Sequence, residues 1–96
     1  MRIALVIGST VSTIKDDKLH GRKLLLVREA DLQGEPVGSP QIAVDTAGAG
    51  AGDLVILTAG SSARQTDQTA GAPVDLVIVG VIDSLDVSGT VTYRKQ

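Results

Sequence analysis

The 96-residue chain has no cysteine, no tryptophan and no phenylalanine, a single tyrosine, Tyr93, and a single histidine, His20. The lack of cysteine excludes disulfide staples and thiolate metal sites, and one histidine cannot supply a zinc-type ligand cluster. No metal or cofactor is expected. With Tyr93 as the sole aromatic side chain, the chain cannot build the stacking platforms on which single-stranded nucleic acid is usually held. A formal net charge of -2 makes its mean field weakly repulsive toward phosphate backbones. No apolar run approaches the length needed to cross a bilayer. The start, Met1-Arg2-Ile3-Ala4-Leu5, lacks the separate charged region and small-residue cleavage site of an export signal. The expectation is therefore a cytoplasmic protein with neither nucleic acid nor membrane as a partner.

What the chain does have is glycine and β-branched residues, in an order that suggests one domain spanning residues 1–96. Two glycine-bearing stretches flank one apolar run. Val44-Asp45-Thr46-Ala47-Gly48-Ala49-Gly50-Ala51-Gly52-Asp53 precedes Leu54-Val55-Ile56-Leu57-Thr58-Ala59, and Gly60-Ser61-Ser62-Ala63-Arg64 comes after it. The run is short and β-branched, which marks a buried strand and places the glycines at strand ends.

The other elements read similarly. Arg2–Ile7, a break at Gly8, and the alternating Thr10–Lys15 predict a long first strand, bent or bulged near Gly8. Asp16-Asp17-Lys18 makes a turn. Lys23–Glu29 is a second strand, since Gly21 precedes it and Gly34, Pro36, Gly38 and Pro40 punctuate the chain soon after. Ile42–Val44, Leu54–Ala59, Leu76–Ile82 and Val91–Tyr93 complete the strands, the last after a turn at Ser88-Gly89. One short helix is expected near Ser62–Asp67, capped by Ser61 or Ser62. So many strands in so short a chain point to an all-β fold, a small closed or nearly closed barrel.

Ile3–Ile7, Leu24–Val27, Leu54–Leu57 and Leu76–Val79 are apolar on both faces of their strands, although a strand with one wet face should alternate. With almost no helix to cover the outer faces, the remaining cover is another copy of the chain.

Three groups of residues invite a chemical reading. Gly48-Ala49-Gly50-Ala51-Gly52 lacks the G-x-G-x-x-G spacing and no helix comes after it, so a strand-connecting loop accounts for it better than a dinucleotide site. His20, Asp45 and Ser61 are the residue types of a hydrolase triad, but nothing in their spacing brings them together. Arg64, after the glycine-serine turn, is either a solvated charge or a partner for a carboxylate of an adjoining subunit.

In its order of motifs the chain resembles the bacterial microcompartment vertex proteins, the EutN/CcmL family of ethanolamine-utilisation and carboxysome shells. The resemblance is nearly full length. It rests on Gly8–Thr13 with Lys15, Leu19–Leu26, Val44-Asp45 with Gly48-Ala49-Gly50 and Gly52-Asp53, Gly60–Arg64, and Pro73-Val74-Asp75 leading to Ile78–Asp83. Asp53 departs from the family pattern, which has glutamate after the glycines.

The resemblance implies an OB-like barrel assembled as a cyclic homopentamer, with no catalysis, occupying the vertices of a shell otherwise tiled by hexameric proteins. It further implies that Gly60, Ser61 and Ser62 line the central opening, with Ala63 and Arg64 close to the subunit contact. Gly48, Ala49, Gly50 and Gly52, with Asp45 and Asp75, fall at an inter-subunit or shell-facing surface. The alternative function for such a barrel is an OB-type module binding oligonucleotide or oligosaccharide.

Overall fold

The structure, a computed structural model, describes residues 1–13, 19, 21–60, 63 and 75–96. Among them seven strands are formed: β1 Arg2–Ser9, β2 Lys23–Glu29, β3 Gln41–Asp45, β4 Leu54–Ala59, β5 Leu76–Val81, β6 Ser84–Val87 and β7 Thr90–Arg94. The first five close into a barrel in the order β1-β2-β3-β5-β4, and β6 pairs with β7 as a separate two-stranded sheet. All pairs are antiparallel except β3 with β5, which run parallel through Val44↔Val77 and Asp45↔Ile78. This is the OB-type order.

Alternation fixes the register. Ala4 and Val6 of β1, Leu25 and Val27 of β2, Ala43 of β3, Val55 and Leu57 of β4, and Leu76 and Ile78 of β5 point inward and form the main core. Ala49, from the glycine loop, joins them. The register of β1 against β2 slips between Val6 and Gly8, a bulge at the expected place. Beyond it β1 stops at Ser9, although Thr10 N–H still donates to the Leu24 carbonyl.

The expected cover for the outer faces needs correction, because much of it comes from the chain itself. Ser84–Val87, which the sequence pattern does not mark as a strand, forms the first arm of a hairpin whose turn, Ser88-Gly89, has positive φ at both residues (51° and 84°). That geometry belongs to a type I′ turn, which suits the twist of a tight hairpin. Leu85 and Tyr93 of this hairpin, together with Ile3, Leu5 and Ile56, pack against buried Ala30, Leu54 and Ile82, covering the outer face of β1 and β4. A second outer cluster joins Val44, Val77 and Ala63, with Leu19, Leu24 and Val79 around them.

Of the helix expected near Ser62–Asp67, only Ala63 is a described residue, and it has 3₁₀ geometry, as does Gly60. The rest of that segment, like Lys15, lies outside the described residues. No described residue is in an α-helix.

Candidate functional site: the glycine loop and the uncovered barrel face

The connection between β3 and β4 carries the glycines, and two carboxylates shape it. Asp45 closes β3 directly opposite Lys23 at the start of β2. Its side chain is 3% exposed, and both oxygens are occupied. Oδ1 accepts from the Ala47 N–H and Oδ2 from the Ala49 N–H, each at 3.0 Å. The Lys23 ammonium lies 3.3 Å from Oδ2 and also donates to the Ala49 carbonyl. At the far end, Asp53 Oδ2 accepts from Gly50 N–H at 2.9 Å while Asp53 N–H donates to the Gly50 carbonyl at 3.0 Å, a reciprocal clamp. Lys95, just past β7, sits 3.6 Å from the other Asp53 oxygen.

The loop is thus held from within, and its glycines have different reasons to be glycine. Gly48 and Gly52 have φ of 74° and 90°, where a Cβ is strained. Gly50 has neither a positive φ nor any heavy atom within 4 Å of the place a Cβ would occupy. Nothing among the described residues of its own protomer requires glycine there. The expectation that side chains would obstruct a neighbouring backbone in this loop is not met inside one copy, since Gly48 and Gly52 also face open space.

A second feature is the part of the barrel wall that the hairpin leaves bare. Leu26 of β2 pairs across the ladder with Ile42 of β3 on one side and Gly8 of β1 on the other. Ile42 is 53% exposed and neighbouring Ile7 41%. This outward row of β1, β2 and β3 remains apolar and open, as the double-faced strand pattern implied.

The residues assigned from sequence scatter over these features. Ala49 and Ala63 are buried within one protomer, each in a cluster of its own chain. Gly48 and Gly52 are exposed, and Gly50 partly so. Asp75 is exposed beside β5, and its carbonyl accepts from Gly60 N–H at 3.0 Å, which closes the neck of the segment between β4 and β5. Ser61, Ser62 and Arg64 lie outside the described residues. So does His20; Asp45, which would be the acid of a triad with it, is committed to Ala47, Ala49 and Lys23. Sequence reasoning does not find the Lys23–Asp45 pair, whose members are far apart in the chain and juxtaposed only by the β2–β3 register.

Tyr93 bears on the alternative reading. A Cβ on Gly34 would stand 2.8 Å from Tyr93 Cδ2, so the ring lies directly under the β2–β3 connection. The one aromatic residue is a half-buried structural wedge, packed between Gly34 and the cluster of Ala30, Leu54 and Ile82.

Comparison with known proteins agrees with this architecture. The family model described as "Ethanolamine utilisation protein EutN/carboxysome" matches residues 1–83. The bacterial microcompartment shell vertex protein EutN of Salmonella typhimurium is 41% identical over 95 residues, 99% of this chain and 96% of that protein. The carboxysome shell vertex protein CcmL of Synechocystis is 38% identical over 96 residues, 100% of this chain and 96% of that one. Among solved structures, the GrpN pentameric microcompartment shell protein from Rhodospirillum rubrum superposes with a TM-score of 0.80 at 42% identity, covering 91% of this chain and 99% of its own. The chain belongs to the EutN/CcmL family.

Proposed function

We propose that this chain is a structural shell protein whose copies form cyclic pentamers at the vertices of a bacterial microcompartment, within the cytoplasm. The observation that carries the reading is the apolar wall at Leu26 and Ile42, on a barrel whose β1–β4 face is covered by its own hairpin. A single copy leaves that wall wet, and a head-to-tail ring gives every subunit a neighbour on each side. The relatives are named shell vertex proteins, and the pentameric GrpN shell protein supports a ring of five.

Gly50 supports the same assembly. A glycine that its own fold does not require suits a surface approached closely by another molecule, so the loop Gly48–Gly52, braced by Asp45 and Asp53, faces the next subunit or a shell neighbour. In this scheme Gly60, Ser61 and Ser62 converge on the five-fold axis, where small residues from five copies fit without collision. Ala63, Arg64 and Asp75 then stand close to the contact between subunits. The rim engages hexameric shell proteins, because a flat hexagonal layer closes into a polyhedron only by admitting five-fold positions.

Co-expression with hexameric shell subunits tests the function. Closed polyhedra are expected when this chain is present and open sheets or tubes when it is omitted; closed particles in both cases reject the vertex role. A gel-shift panel of single strands separates the alternative binding module, for which tight, salt-sensitive retention is the signature.

A further inference from the structure

We infer that the face shared by the β2–β3 connection and the C-terminal hairpin is a docking surface for a protein segment that sets aliphatic side chains among lysines or arginines. The two elements lie against each other: Thr92 of β7 donates its hydroxyl to the Leu32 carbonyl, and Gly34 packs on the Tyr93 ring. Of the eight large apolar side chains exposed among the described residues, four, Leu32, Val37, Val87 and Val91, belong to these two elements. Exposed apolar side chains gathered on neighbouring elements, unlike single ones, mark an interaction site.

Charge decides what kind of partner fits. Residues 29–37 and 82–93 hold five of the chain's eleven acidic residues, Glu29, Asp31, Glu35, Asp83 and Asp86, and none of its nine Lys and Arg. Among the described residues none of the five is in an ion pair. Asp86 stands directly across the hairpin from Val91. Asp31 and Glu35 flank Leu32 in the chain, in a loop that Asp31 closes by accepting from the Gln33 and Glu35 amides through Oδ1. Arg94 and Lys95 come only past this stretch, and Lys95 is committed to Asp53. The same face of a second copy would set acid against acid, and nucleic acid or an anionic lipid surface is repelled in the same way. A cationic segment with aliphatic side chains satisfies both the charge and the apolar surface.

The inference does not rest on ring formation, because none of these residues belongs to the Ile7, Leu26 and Ile42 row or to the glycine loop. Fluorescence anisotropy tests it, with the assembled protein titrated into a labelled amphipathic peptide of leucine and lysine, beside a leucine–glutamate peptide and a serine–lysine peptide of the same pattern. Saturable binding of the leucine–lysine peptide, weakened by salt and absent from both controls, is expected. Leu32→Ser and Val91→Ser each weaken it about tenfold, and Glu35→Gln about two- to fivefold. Val11→Lys, which makes the same change in net charge and removes an exposed apolar side chain elsewhere, leaves it unchanged. No saturable binding, equal binding of either control peptide, or a loss as large in Val11→Lys overturns the surface. So does a fall in oligomer mass on native mass spectrometry of Val91→Ser, which would assign this face to the ring.

Discussion

Asp45 is a buried acid that bonds both to the backbone and to a lysine, and the two kinds of bond are worth different amounts. The Ala49 N–H it accepts is on a residue 1% exposed, so deleting the acceptor strands a donor away from water. Hydrogen bonds to a charged group contribute about 1.5–3 kcal/mol each, and Asp45 makes two to amides of the glycine loop. The Lys23 side chain is 53% exposed, which places its ion pair in the range of about 0–1 kcal/mol. Asp45→Ala should therefore cost about 3–6 kcal/mol, Asp45→Asn about half of that because its amide keeps one acceptor oxygen, and Lys23→Met about 1 kcal/mol or less. Set against about 5–15 kcal/mol for a whole domain, the first change threatens folding and the last does not. Urea unfolding at one fixed protein concentration measures the order, since association adds to apparent stability. Hydrogen exchange at the Ala47 and Ala49 amides locates it. If Lys23→Met proves as costly as Asp45→Ala, the ion pair organises the loop and the reasoning from amide bonds fails.

Gly34→Ala should loosen the C-terminal hairpin. At φ 83° an alanine is strained by about 1–2 kcal/mol, and its Cβ would stand 2.8 Å from the Tyr93 ring, so near-ultraviolet circular dichroism, reporting the only aromatic residue, should weaken while the barrel strands persist. An unchanged spectrum and melting temperature would contradict the wedge role of Tyr93. Ile42→Lys and Gly50→Leu should both leave the protomer folded, since Ile42 is 53% exposed and Gly50 has open space around it, yet both should reduce the oligomer fraction in sedimentation velocity. Unimpaired assembly in Ile42→Lys would remove the β1–β2–β3 wall from the interface, and unimpaired assembly in Gly50→Leu would remove the glycine loop.

Much of this architecture is legible in the residues because strand burial imposes a period of two and glycine marks where a strand must stop or bulge. Lys23–Glu29 and Leu54–Ala59 have the observed bounds, and the slip near Gly8 is visible as a glycine inside an apolar run. β6 is not legible, since Ser84-Leu85-Asp86-Val87 offers only four alternating residues, too few for a period to stand out from a loop. Without that strand there is no hairpin to read, and nothing to show that Leu85 and Tyr93 cover apolar faces otherwise assigned to another copy. Among the described residues, the outward row with half-buried Leu26 and exposed Ile42 and Ile7 is left for a neighbour. At the site, glycine positions can be read from sequence but their causes cannot. Positive φ explains Gly48 and Gly52, whereas Gly50 becomes informative only once the space around it is known to be empty. The ion pairs Lys23–Asp45 and Lys95–Asp53 depend on strand register and hairpin docking, which no local pattern encodes.

Native mass spectrometry of the purified protein at working concentration tests the ring most directly. A dominant species of five times the 9.8 kDa protomer is the predicted result. One or two copies, with Ile42 and Ile7 left facing water, would contradict it.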